Sequence, residues 1–119
     1  MKPEVQTVRA ADGELLISVS GELDLHSVGS LQRALDDAID MTGEIVVVDL
    51  GGVSLIDSIA LGALARASRR LRESGGALAV AASNTDIVRA FEITSLDRVI
   101  PIAMTVPDAF ERVRDQPNP

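Results

Sequence analysis

Residues 45 to 64 read IVVVDLGGVSLIDSIALGAL. Ile45 to Leu50 is an almost unbroken apolar, largely β-branched run, which suits a strand covered on both faces. Gly51-Gly52 then predicts the end of that strand and a loop running to Asp57. From Ser58 to Ser74 the spacing is helical. Leu61, Leu64, Ala65, Ser68 and Leu71 share one face, while Ala60, Gly62, Ala63 and Ala67 keep the helix slim enough to lie close to a sheet. Arg66, Arg69, Arg70 and Arg72 crowd the C-terminal half, where cations suit the helix dipole, and Gly75-Gly76 is a stop signal. Asp57-Ser58 therefore sets a hydroxyl at a helix start, where backbone N–H groups converge and negative charge is tolerated.

On the N-terminal side, residues 4 to 9 and 14 to 20 are rich in Val, Ile, Leu and Thr. Asp12-Gly13 between them predicts a hairpin, and Gly21 is expected to break its second strand. Val28, Leu31, Leu35, Ala38 and Ile39 recur at helical spacing opposite Asp36, Asp37 and Asp40. This predicts an amphipathic helix with Ser27 as N-cap and Gly43 at its end. On the C-terminal side, residues 77 to 82 read as a strand. A short helix follows over Thr85 to Phe91, capped by Asn84 or Thr85. Val99 to Ile102 reads as an edge strand containing Pro101, and Thr105 to Arg114 as a last helix with Pro107 in its first turn. The order β-β-α-β-α-β-α-β-α implies an α/β single domain with a mixed central sheet and helices mainly on one face. The domain is expected over residues 1–115, with 116–119 a frayed tail.

Composition narrows the function. The chain has 119 residues, room for one core, and 46% are hydrophobic. The formal net charge is −7 and the only aromatics are Phe91 and Phe110. This argues against direct nucleic-acid binding, which uses basic patches and stacking platforms. A partner with a basic docking surface is the electrostatic complement. There are no cysteines, hence no disulfide and no thiolate chemistry. No run is long enough for membrane insertion and the N-terminus lacks a signal-peptide core. The expected location is cytoplasmic.

Few residues offer chemistry. Taken locally, Asp57-Ser58 reads equally as a helix cap with a polar first residue or as a phosphorylation site. A phosphoserine there would bring roughly −1.5 to −2 charges to a position that accepts them. It would change the surface without melting the helix. Glu22, Asp24 and Asp57 read as a solvated acidic rim before they read as a metal site. His26 is the only histidine, so no zinc site is expected. A Ser58–His26–Asp24 triad lacks the Gly-x-Ser-x-Gly elbow. Asp49 as a receiver-type phosphoacceptor would need a lysine near the last strand, and the only lysine is Lys2. No cofactor is expected.

The segment VVVDLGGVSLIDSIALGAL resembles the signature of the STAS domain, the fold of bacterial anti-sigma factor antagonists. GELDLHS at 21–27 and FEITSLDRVIPI at 91–102 resemble its early and late segments. All three stand in the family's order across nearly the whole chain. The resemblance implies a binding module that is not an enzyme. It would bind an anti-sigma factor with serine-kinase activity and release a sigma factor. Phosphorylation of Ser58 would switch it off and a phosphoserine phosphatase would reset it. Ser58 takes the phosphoacceptor position, Asp57 precedes it as the cap, and Asp24 takes the nearby acidic position. The partner is expected to contact Asp24, Asp57, Ser58 and Ile59. The family's second hydroxyl is Ile59 here, its glycine is Ala60, and its late glycine is Ser95. The alternative is a constitutive STAS interaction module, a transporter accessory subunit or stress-signalling scaffold, in which Ser58 is only part of a cap.

Overall fold

Gly13, at φ +73°, turns the chain from β1 (Glu4–Ala11) into β2 (Glu14–Leu23). The two pair antiparallel from Glu4 opposite Ser20 to Ala11 opposite Glu14. The computed structural model describes residues 4–41 and 43–114, so the expected tail at 116–119 lies outside the described residues. After the hairpin come α1 (Gly29–Asp40), β3 (Ile45–Ile56), α2 (Ser58–Glu73), β4 (Ala77–Ala81), α3 (Thr85–Ile93), β5 (Ile102–Ala103) and α4 (Val106–Arg114). The sheet order is β1-β2-β3-β4-β5. Only the β1–β2 pair is antiparallel, so the sheet is mixed as expected.

Period-2 alternation sends neighbouring side chains to opposite faces. On one face Val46, Val48 and Leu50 of β3 and Leu78 and Val80 of β4 join Leu31 and Leu35 of α1, Leu64 and Leu71 of α2, and Ile87 and Phe91 of α3. On the other, Val47, Ala77, Ala79 and Ala81 pack under Ala109, Phe110 and Val113 of α4. Three helices therefore cover one face and one covers part of the other. The apolar run of β3 is buried on both sides for that reason. Ion pairs fasten the periphery. Arg114 at the end of α4 holds the nearly buried Glu14 through two bonds of 2.5 and 2.6 Å. Arg9 holds the nearly buried Glu44 at 2.9 Å. The Arg114 hydrogen bonds keep the Glu14 carboxyl below the ordinary carboxylate range.

Three boundaries differ from expectation. First, β3 does not stop at Gly51-Gly52 but runs on to Ile56. Its pairing with β2 shifts register twice, between Ser18/Ser20 and between Gly21/Glu22. Twelve residues of β3 are thereby set against ten of β2. The glycine pair sits in the first of these bulges, where a Cβ on Gly52 would lie 2.9 Å from Ser20 Cβ. Bulges bend and twist a strand without ending it. The second shift carries β2 past Gly21, at φ +97°, to Leu23, so Gly21 does not break the strand as expected. Second, Ser27 is not the N-cap of α1. Ser27 N and Val28 N already donate to the Asp24 carbonyl, so a turn precedes the helix proper, which begins at Gly29. Third, the last strand is Ile102–Ala103, not Val99–Ile102. A 3-10 turn at Leu96–Arg98 draws Val99 N and Ile100 N onto the Leu96 carbonyl, leaving only two residues to pair with β4. Pro101 stands just outside the strand, which is still the sheet edge.

Two helix ends deserve their reasons. At the end of α2, Gly75 N donates to Arg72 O and Gly76 N to Leu71 O, with Gly75 at φ +88°. This is the left-handed C-terminal motif that satisfies the last carbonyls. At the end of α3 the same left-handed position is held by Ser95, at φ +62° and ψ +16°. A side chain there costs about 1–2 kcal/mol. Ser95→Gly is expected to raise stability by about 0.5–1 kcal/mol once the greater chain entropy of glycine is set against that relief. Urea unfolding checks it, through a higher midpoint at unchanged m-value.

Candidate functional site

The site forms where β2 and β3 end side by side. Leu23 pairs with Ile56, and Asp57 N donates to the Leu23 carbonyl at 3.0 Å. From there one chain enters the 24–28 turn and the other enters α2. Asp57 keeps an extended backbone, φ −103° and ψ 178°, as an N-cap must. Its two carboxylate oxygens divide the work. Oδ1 accepts from Ala60 N and Oδ2 accepts from Leu25 N, both at 3.0 Å. One side chain thus caps α2 and clamps the turn after β2 to it. Asp57→Ala is expected to cost about 1–2 kcal/mol, the loss of a cap. It should also make the Leu25 amide exchange much faster with solvent, while core amides of β3 slow or quicken only with global stability. Hydrogen exchange by NMR reads both.

Asp24 organises the turn itself. Its Oδ1 accepts from His26 N at 2.9 Å and Ser27 N at 3.0 Å, with Ser27 Oγ also 3.0 Å away. Ser27 Oγ accepts from Asp24 N, and its one proton can go either to the Glu22 carbonyl at 2.6 Å or to Asp24 Oδ1. The Ser27 hydroxyl, followed by the two backbone N–H groups, holds the Asp24 carboxyl below its ordinary value. A depressed carboxyl stabilises the fold fully above its unfolded value of about 3.9, and the contribution is lost as pH falls through the lower folded value. The Ser27 amide resonance, which reports a bond to Asp24 Oδ1, should therefore move as pH falls through that acid range.

Ser58 is the first residue of α2 and is exposed. Its hydroxyl makes no hydrogen bond to protein among the described residues, so nothing competes for it. Ile59 beside it is 43% exposed. Two further apolar side chains stand open on the same segments: Leu25 in the turn clamped by Asp57, 63% exposed, and Leu55 near the end of β3, 45% exposed. The sequence reading missed both. Leu25 alternates with the buried Leu23 and so looks like the next core residue of a strand. The chain turns at Asp24 and swings it outward. Ser58, Ile59, Leu25 and Leu55 all stand exposed at or just beyond the paired ends of β2 and β3, where Asp57 bridges the Leu25 and Ala60 amides.

Of the expected site residues, Asp57, Ser58 and Ile59 are contiguous, and Asp24 enters through the turn that Asp57 clamps. The Asp24 carboxylate accepts only within its own turn, from His26 and Ser27, among the described residues. Among the described residues no group of three or more His, Cys, Asp or Glu side chains could hold a metal ion. Asp57 gives both oxygens to backbone donors, and Asp24 receives the backbone N–H of His26. No described helix is long and apolar enough to cross a membrane.

A family model of the STAS domain matches residues 3–109. An anti-sigma-B factor antagonist of Listeria monocytogenes is 33% identical over 86 residues, covering 72% of this chain and 75% of that one. Among solved structures, an anti-sigma factor antagonist from Mycobacterium paratuberculosis superposes with a TM-score of 0.80 at 29% identity, covering 96% of each chain. The phosphorylated form of the Bacillus cell-fate determinant SpoIIAA superposes with a TM-score of 0.71 at 22% identity, covering 93% of this chain and 100% of that one, a likeness of fold.

Proposed function

The chain belongs to the STAS domain family, and from that premise we propose that it is an anti-sigma factor antagonist switched by phosphorylation of Ser58. Unmodified, it binds a kinase-type anti-sigma factor in the cytoplasm and so releases a sigma factor. Phosphorylated, it does not bind until a phosphoserine phosphatase resets it. The protein acts by occupancy of a surface and transforms no substrate.

The observation that carries this reading is the exposed, unbonded Ser58 hydroxyl at the start of α2, next to the exposed Ile59 and on an end of the sheet where Leu25 and Leu55 are also exposed. An added phosphate would meet the helix dipole favourably and leave the fold standing. The partner would instead meet two negative charges within its contact, where desolvating them is costly. The antagonist relatives support this role over a transporter accessory subunit, because they match over most of their own length. Asp24 and Asp57 then serve as the acidic ground for a basic partner surface.

Phosphosite mapping by mass spectrometry tests it, on protein isolated from its host with and without stress. Phosphate on Ser58 whose occupancy changes with condition is the expected result. Its absence from a well-covered 45–66 region, together with a stable partner complex under both conditions, would make the domain a constitutive interaction module with Ser58 as part of a cap.

A further inference from the structure

Position 62 of α2 is glycine, one helical turn after Ser58 and one before Arg66. Helical side chains lean toward the N-terminus, and Arg66 does so here. A Cβ placed on Gly62 would lie 3.4 Å from Arg66 Nη1. The guanidinium therefore lies over the bare backbone of Gly62, on the way to Ser58. Two turns, about 12 Å at 1.5 Å per residue, separate the Cα atoms of Ser58 and Arg66, and the side chain already spans the nearer turn. Arg66 is exposed and has no carboxylate partner among the described residues, whereas its neighbour Arg70 is paired with Asp36 at 3.2 Å. Arg69 lies a further turn from the acceptor, and Arg72 further still.

We propose that Arg66 is the intramolecular counter-ion of a phosphoryl group on Ser58, reaching it across the open surface of Gly62. The inference rests on Ser58 being the acceptor and adds what that reading leaves out: where the new charge goes. A guanidinium binds phosphate oxygens through paired N–H donors. In an acidic chain, with Asp57 and Asp24 on the other side of Ser58, Arg66 is the cation placed to draw the phosphoryl group back along α2. The phosphorylated state is then held in one orientation against the helix.

The test uses the full chain with phosphoserine installed at position 58 by directed incorporation, so it needs no kinase. The second ionisation of the phosphate is followed by phosphorus NMR in low salt. Asp24 and Asp57 act equally on all variants, so differences report the arginine. Arg66→Gln is expected to raise that ionisation by about half a pH unit, the effect of one unit charge at contact in a surface setting. Gly62→Leu, which fills the path, should do the same, and Arg69→Gln should leave it unchanged. Titration curves of Arg66→Gln or Gly62→Leu that coincide with wild type would overturn the inference. So would an equal shift in Arg69→Gln, which would assign the effect to net charge. Failure of the Ser58 reading shows separately, as absence of phosphate in the host protein.

Discussion

Gly76→Ala is expected to lose about 3 kcal/mol or more, a large share of the roughly 5–15 kcal/mol that holds a small domain folded. The reason is a backbone approach. A Cβ on Gly76 would stand 2.1 Å from the Glu44 carbonyl oxygen and 3.1 Å from Glu44 N. Neither atom can rotate away, since the same carbonyl accepts from Ala77 N at 3.2 Å and the segment leads directly into β3. Relief would require β4 to separate from β3, the pair at the centre of both cores. Overpacking usually costs about 1–3 kcal/mol because side chains yield; here only main chain is available. Thermal unfolding should show a fall of about 10 °C or more, at roughly 3–4 °C per kcal/mol for a domain of this size. Gly75→Ala provides the comparison. No atom lies within 4 Å of its added Cβ, so it meets only the strain of φ +88° and should lose about 1–2 kcal/mol.

Ser58→Glu is expected to weaken binding to the anti-sigma partner by about 10- to 100-fold, on the order of 1–3 kcal/mol for an uncompensated like or buried charge at an interface. Genuine phosphoserine carries more charge and should weaken it further. Ser58→Ala should bind within a few-fold of wild type while accepting no phosphate. Isothermal titration against the purified partner, with circular dichroism to show unchanged helix content, measures the effect. Equal affinity of wild type and phosphoprotein would sink the electrostatic switch. The prediction separates surface from fold, because the same charge at the α2 N-terminus should leave the melting temperature unchanged or slightly higher.

What the residues disclose in advance depends on how many structures share their signal. Asp12-Gly13 between two β-rich runs has one common outcome, a hairpin, and that is what forms. The apolar run of β3 reads as a strand covered on both faces, and it is; residues 77 to 82 read as a strand, and β4 forms there. Asp57 before a helical period means a cap, and it is one. Gly51-Gly52 is different, because a glycine pair serves a turn and a bulge equally well. Which one forms depends on β2 continuing alongside, a tertiary fact. Leu25 is the same kind of case. Its period-2 relation to Leu23 speaks for a strand, and the Asx-type bonding of Asp24 overrules it. β5 begins later than expected because the left-handed Ser95 opens a 3-10 segment that takes up Leu96 to Arg98, and no glycine marks that turn in the sequence. The clamp between Leu25 and Asp57 was beyond reach, since no local pattern relates residues 32 apart.

That clamp also sets when the surface comes into being. The Leu25 and Asp57 segments meet just beyond the last parallel pair of β2 and β3, Leu23 with Ile56. Parallel pairing with long sequence separation is among the slower steps a small domain takes. A copy in which that pairing is incomplete would display the serine as a mere peptide, without the clamped turn beside it. A partner that gripped both segments at once would thereby select the folded antagonist over unfinished copies.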